Sequence, residues 1–350
     1  MGVWAIKLTC VKTEEAVGMI IPHDITRIVK GGSKGPAFKK GHVIKEEDIP
    51  LLLEIGKEHI YSLQLEDGDV HEDEAGQRIA EAATGKGLEL KGPSEGKVEL
   101  IALTDGLLKI NIQALQQLNS LPDVIMATLH NNTPVKKGDK VAGTRVIPLV
   151  VHEQTVAKAE EICREGAPLV EVRQYRSCKL GALITGREVY EGRVKDAFSP
   201  VMREKARSFN LEEPKIVYAP DEPELIASKI KELIAEGVDL VAVTGGMSVD
   251  PDDVTPRGIR LSGANVEKYG APVLPGAMFL LAYHGRLPIV GVPACGMYFR
   301  TTIFDLVLPR LLVGERPTAQ DLAALGHGGF CRSCQKCSYP HCSFGKGGIN

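Results

Sequence analysis

The sequence predicts an α/β protein: a mostly parallel sheet flanked by helices, preceded by an α+β module and a β-rich module and followed by a cysteine-rich tail. CKLGALITG, PKIVYAP, VDLVAVTGG and LPIVGVP are short runs apolar at nearly every position, as strands buried on both faces must be. DAFSPVMREKARSF and EPELIASKIKELIAEG lie between the early ones and space their apolar residues as helices do. Such alternation gives a parallel sheet with its crossover helices on the faces. At 350 residues the chain is long enough for about two domains at roughly 150 residues each.

In chain order, VWAIKLTCV reads as a strand and IVKGGSKGP as a glycine-rich loop closed by Pro36. EEDIPLLLEIG then reads as a short helix and HIYSLQLEDG as a strand and turn. HEDEAGQRIAEAATG is a helix whose acidic first turn suits the positive end of its dipole. GKVELIAL, LLKINI, DVIMATL and KVAGTRVIPLVV are strands separated by DG, NN and KKGD turns, and HEQTVAKAEEICREG is a connecting helix ended by Gly166 and Pro168. The expected divisions are residues 1–92 (α+β), 93–155 (β-rich), 156–175 (connecting helix), 176–315 (parallel α/β) and 316–350 (tail).

Lys+Arg 42 against Asp+Glu 45 gives a formal net charge of −3, which argues against a nucleic-acid footprint, and 43% hydrophobic residues argue against disorder. Aromatics at 5% leave little with which to stack single-stranded bases. No apolar run approaches the roughly 20 residues of a membrane span, and MGVWAIKLTCVKTEEAVG lacks the layout of a secretory leader, so a cytoplasmic, membrane-free protein is expected.

Ligands of parallel sheets bind beyond the carboxyl ends of the strands. Three loops qualify. ITGREVYEGRVKDAF offers Gly186, Arg187, Glu188 and Asp196. TGGMSVDPDDVTPRG offers Thr244, Gly245 and Gly246 as a phosphate cradle, Ser248 as a hydroxyl donor, and Asp252 and Asp253 as hard oxygen ligands for Mg²⁺. GVPACGMYFR offers Pro293 and Cys295. Against the second loop stands a plainer account, a glycine turn followed by a helix capped by Asp253. Plainer accounts also suit His71-Glu72-Asp73-Glu74, a solvated helix start; His130-Asn131-Asn132, a turn; and Trp4, core packing.

From about Cys178 to Leu312 the chain resembles the molybdopterin-binding domain shared by molybdopterin adenylyltransferase (MogA type) and molybdopterin molybdenumtransferase (MoeA type). The matching order is TG-x-E, a later G-x-x-x-D, TGG-x-S, PG and GVP before the last helix. Upstream, AVGMIIPHDITRI, GPAFKKGHVIKEEDIPLLLEIGKEHIY and KGDKVAGTRVIPLVV resemble the extra domains of the MoeA type. The resemblance implies a homodimer that binds molybdopterin or its adenylylated form with Mg²⁺, and a molybdoenzyme that receives the product. Its implied reaction is molybdate insertion with release of AMP, Asp253 and Asp252 being catalytic. It departs from the transferase branch at Arg187, where that branch has an Asp, a change that favours an oxyanion. The Asp252-Asp253-Val254-Thr255-Pro256 run is closer to the adenylyltransferase branch. Two alternatives remain: a non-catalytic cofactor carrier or sensor, and a nucleotide pyrophosphatase built on the same domain type.

Of eight cysteines, Cys10, Cys163, Cys178 and Cys295 are scattered, whereas Cys331, Cys334, Cys337 and Cys342 form C-x2-C-x2-C-x4-C. Compact x2 spacing favours a [4Fe–4S] cluster over Zn²⁺ as the metal held there. An unstructured cysteine tail is the plain alternative, and for Cys295 it is a buried structural thiol.

Overall fold

The structure is a computed structural model that describes residues 8–27, 35–63, 67–94 and 96–347. Trp4 and most of the IVKGGSKGP loop lie outside the described residues. The chain divides into two compact units, the first comprising Met1–Leu103, Ile110–Leu129 and Lys137–Glu171, the second Thr104–Lys109, His130–Lys136 and Val172–Asn350.

The first unit holds a four-stranded antiparallel sheet in the order Leu88–Ser94, Lys97–Ala102, Lys140–Val146, Val124–Thr128. The helix Glu72–Ala83 buries Ala75, Ile79, Ala80 and Ala83, the apolar stripe of an amphipathic helix. Its start is not the solvated face expected from sequence. His71 and Glu72 are buried, and the His71 ring accepts from the Asp73 amide at 3.1 Å while its other nitrogen meets the Pro22 carbonyl at 3.0 Å. A histidine that caps a helix and ties down a loop is best placed out of water. Ile112–Asn119, unread in the sequence, is a helix capped by the Asn111 side chain on the Ala114 amide. Among the described residues no helix is long and apolar enough to cross a membrane.

The second unit is organised by a six-stranded sheet in the order Lys215–Ala219, Leu180–Thr185, Leu240–Thr244, Leu287–Val292, Leu280–His284, Asn265–Tyr269. The first four strands run parallel, and the last two are an antiparallel extension missed by the sequence reading. Alternation sends Leu180, Ala182, Leu240 and Ala242 to one face, under the helices Phe198–Ser208 and Ile303–Leu312. Leu183, Val241 and Val243 face the other way, under Pro223–Ala235 and Thr255–Leu261. With both faces covered, polar groups can enter only at the strand ends.

The tail does not build its own core. It docks on the sheet domain: the Leu274 amide donates to Gly329, the Cys331 amide to Leu274, both at 2.8 Å, and Phe344 is buried in the domain's core beside Tyr339 and Cys342. One aromatic side chain can anchor a segment this short because the core it enters already exists.

Candidate functional site

The carboxyl ends of Leu180–Thr185 and Leu240–Thr244 lie side by side, Ile184 opposite Thr244. Each ends in Thr-Gly, and the pair is knitted through buried hydroxyls. Thr185 Oγ1 lies 3.1 Å from the Thr244 carbonyl and 3.1 Å from Thr255 Oγ1 at the start of the next helix. Gly245 (φ +89°) and Gly246 (φ +54°) both occupy left-handed backbone. A Cβ on Gly245 would stand 2.7 Å from Thr185 Oγ1, and one on Gly246 2.7 Å from Thr255 Oγ1, so both glycines are required twice over. The turn is half-buried at the carboxyl end of the strand. Beneath it Thr244 Oγ1 is fully buried and has no hydrogen-bond partner, a polar atom at a strand end that a ligand or water would satisfy.

Asp253 does not cap the helix Thr255–Leu261, whose N-cap position, Val254, makes no side-chain capping bond. Its carboxylate instead accepts from the Asp250 amide at 3.3 Å within the loop. Asp252, Ser248 and Val249 are exposed on the same loop. Tyr269, from the antiparallel edge strand, donates to the Met247 carbonyl at 2.8 Å and so fixes the loop from behind. Burial and then the Asp253 charge push the Tyr269 phenol above its ordinary range.

Asp221 escaped the sequence reading. It follows the strand Lys215–Ala219, and its carboxylate accepts from the Arg187 amide at 2.9 Å. Burial raises its pKa, the charges of Glu188 and Asp253 add to the rise, and the Arg187 amide opposes it. Asp221, Glu188 and Asp253 therefore share one electrostatic neighbourhood. The signal available in sequence was only position, a carboxylate two residues past an apolar strand.

The remaining candidates separate. Gly186 takes φ +138° at the strand end. The Arg187 guanidinium reaches Glu222 at 3.1 Å on the exposed surface. Asp196 accepts from the Phe198 amide at 2.7 Å, the Ser199 amide at 3.1 Å and the Tyr218 hydroxyl at 2.9 Å, so both its oxygens serve the start of a helix. Pro293 is buried just before the short 3-10 segment Ala294–Met297, which holds Cys295. Burial pushes the Cys295 thiol above its usual range, the opposite of what an activating helix end would do.

In the tail, Cys337 Sγ lies 3.3 Å from Thr301 Oγ1, Cys331 and Cys342 pack against the core, and Cys334 is exposed. Among the described residues no three His, Cys, Asp or Glu side chains are grouped closely enough to hold a metal ion, the four tail cysteines included.

Residues 181–313 match a family model described as a probable molybdopterin binding domain, and residues 10–64 match one described as a domain of unknown function (DUF8806). A CinA-like protein of Mycobacterium sp. (strain JLS) is 35% identical over 79 residues, 23% of this chain and 19% of that protein. One from Mycobacterium avium (strain 104) is 34% identical over 79 residues, 23% of this chain and 18% of its own length. The chain thus spans about a fifth of the length of the curated relatives it matches. Among solved structures, the molybdopterin biosynthesis enzyme MoaB from Thermus thermophilus aligns at 22% identity, over 39% of this chain and 98% of that one, with a TM-score of 0.33. The protein CinA from Thermoplasma acidophilum aligns at 14% identity, over 34% and 90%, with a TM-score of 0.31.

Proposed function

Given a probable molybdopterin binding domain over residues 181–313, we propose that the chain acts in molybdenum cofactor biosynthesis, holding molybdopterin at the strand ends and releasing AMP from its adenylylated form as molybdate enters. The observation that carries this reading is the Thr244-Gly245-Gly246 turn, two successive left-handed glycines at a strand end beside a buried, unpartnered hydroxyl. Backbone amides of a glycine turn at a strand end bind a phosphate without any cationic side chain.

The carboxylates supply the second half. Asp253, Asp252, Asp221 and Glu188 are hard oxygen donors, and Mg²⁺ is characteristically held by one or two carboxylates plus substrate phosphate oxygens rather than by an all-protein cage. That donor chemistry fits Mg²⁺ even though no three of these groups converge. When bound, Mg²⁺ would neutralise phosphate charge. The residues' own part is to orient the ligand. The glycine amides would hold the pterin phosphate, Ser248 would donate to it, and Asp253, free of helix capping, would accept a proton from the water that adds to the phosphoanhydride as its P–O–P bond breaks and AMP leaves. Arg187, exposed and paired with Glu222 through one Nη, retains further N–H donors for an anion. A metal on the tail would require the four thiols to regroup, and no step depends on one.

The transferase assignment over the adenylyltransferase rests on the upstream segment's resemblance to MoeA-type modules. A carrier role is favoured by one observation: although Asp221, Glu188 and Asp253 interact, no three acidic groups lie close enough to hold a metal among the described residues. Purified protein mixed with adenylylated molybdopterin should release AMP in a molybdate- and Mg²⁺-dependent way, and Asp253→Asn should slow it roughly 100-fold. Tight pterin binding without AMP release would convert the reading to a carrier. Failure to bind either pterin form overturns it.

A further inference from the structure

The amino ends of the same strands enclose a cavity of about 420 Å³ whose lining includes Arg176, Arg286, Arg316, Tyr283, Asp239 and Glu315. Asp239 directly precedes the strand Leu240–Thr244, so a strand's length of about 3.3 Å per residue separates this cavity from the glycine turn, roughly 15 Å in all. It is not part of the strand-end site.

Of its two carboxylates one is ion-paired and the other accepts a single backbone amide, so three guanidiniums face one unpaired acid. Asp239 accepts from the Lys179 amide at 2.8 Å. Glu315 meets Lys109 at 2.6 Å and Arg310 at 2.8 Å, and these cations hold its carboxyl below the ordinary range against the effect of burial. The guanidiniums are not committed to acids. Arg316 stacks over the Tyr283 ring with Cζ 4.1 Å from the centroid and donates to the Gly285 carbonyl at 2.9 Å, which leaves its charge unneutralised and its position fixed. Arg176 lies flat against Gly314, where a Cβ would stand 2.6 Å from Nη2, and its own amide donates to the Leu312 carbonyl at 3.0 Å. Among the described residues neither Arg176 nor Arg286 has an ion pair or a side-chain hydrogen bond.

We propose that this cavity is a binding site for a small polyanion carrying two or more phosphate or carboxylate groups, gripped by Arg176, Arg286 and Arg316. The chemistry is that of planar forks. Each guanidinium can engage an oxyanion through two parallel N–H donors, and three of them around one cavity select for separated negative charges over a single one. Gly314 serves the site by leaving room for Arg176. The inference does not depend on the pterin reading, because no residue is shared between the two ends.

Isothermal titration at low salt with inorganic pyrophosphate, citrate and inorganic phosphate as probes tests it. Wild-type protein should bind pyrophosphate or citrate saturably and at least tenfold tighter than phosphate. Pyrophosphate ahead of citrate identifies a phosphorylated ligand, and the reverse a polycarboxylate; either order supports the site. Arg176→Gln with Arg286→Gln, both on exposed side chains, should weaken the better probe at least tenfold. Gly314→Ala, which displaces Arg176 without removing charge, should weaken it about threefold. Amide signals of Gly285 and Gly314 should shift on titration and those of Gly245 and Gly246 should not. No saturable binding, wild-type affinity in the double variant, or shifts confined to the glycine turn overturns the proposal.

Discussion

The two ends of the six-stranded sheet are made by the same strands, yet they present opposite chemistry. At the carboxyl ends, a neighbourhood of carboxylates accompanies the left-handed glycines of the Thr244-Gly245-Gly246 turn. At the amino ends, three guanidiniums line a cavity in which Glu315 is ion-paired and Asp239 accepts a backbone amide. The difference lies in who supplies the charge. Strand dipoles are weak, so sheet ends carry no fixed sign of their own. Loops and helix termini decide it, and here the carboxyl-end loops bring acids while the amino-end turns bring arginines. An anion at the second end would be met by guanidinium side chains, whereas the first end offers it a glycine turn among carboxylates.

The largest expected effect tests whether the amino end is held open by its ion network. Glu315 contacts Lys109 and Arg310, with side chains only 14–17% exposed. Glu315→Gln strips the shared carboxylate and leaves neighbouring cations unbalanced in a largely dry setting, which should cost about 3 kcal/mol, read as a lowered urea midpoint. A change under about 1 kcal/mol would mean that water reaches the network and that the cavity is less built than its geometry indicates.

The two ends also differ in how far they could be read from the amino acids. The glycine turn was legible because its requirement is local: two adjacent glycines after an apolar strand have few uses besides a left-handed turn at a strand end. The central parallel strands were legible for the same reason, Leu180–Thr185 and Leu240–Thr244 each carrying double-faced burial in a five- or six-residue run. Asp221 was not, because its meaning comes from Glu188 and Asp253, which lie on other loops. Arg176, Arg286 and Arg316 share no motif and meet only through the fold. The antiparallel strands Asn265–Tyr269 and Leu280–His284 went unread because the βα rhythm that marks the other strands stops before them. Asp196 is the converse case. Its place in a family-like motif pointed to a ligand, and its hydrogen bonds go to a helix start.

A smaller effect sharpens the comparison from the carboxyl end. Gly245→Ala forces a Cβ into left-handed backbone and toward Thr185. The conformation alone costs about 1–2 kcal/mol, with relief of the overlap adding a similar amount. The fold should survive, with thermal unfolding lowered by several degrees, while molybdopterin affinity falls at least tenfold because the turn is displaced from Thr185. Equal losses at both ends, tested by pyrophosphate titration of the same variant, would show that the two sites are not separable.

The smallest effect concerns the sign of pH dependence. The Asp221 carboxyl is raised by burial and by Glu188 and Asp253, so the fold favours its protonated form; its contribution to stability is present below the ordinary value of 3.8 and is lost as pH rises through its folded value. The Glu315 carboxyl is lowered, so its contribution is present above the ordinary value of 4.5 and is lost as pH falls through its folded value. Asp221→Asn should therefore leave stability unchanged or raise it by up to about 1 kcal/mol at pH 7, the Asn oxygen still accepting from the Arg187 amide, and should give no gain once the solution is acid enough to protonate Asp221 in both states. The penalty of Glu315→Gln should shrink over the same descent in pH. Urea midpoints of both variants at neutral and acid pH make the check. Trends of the same sign would show that the carboxylates at the two ends answer to one overall field, whereas opposite trends follow if each end sets its own charge through the loops that build it.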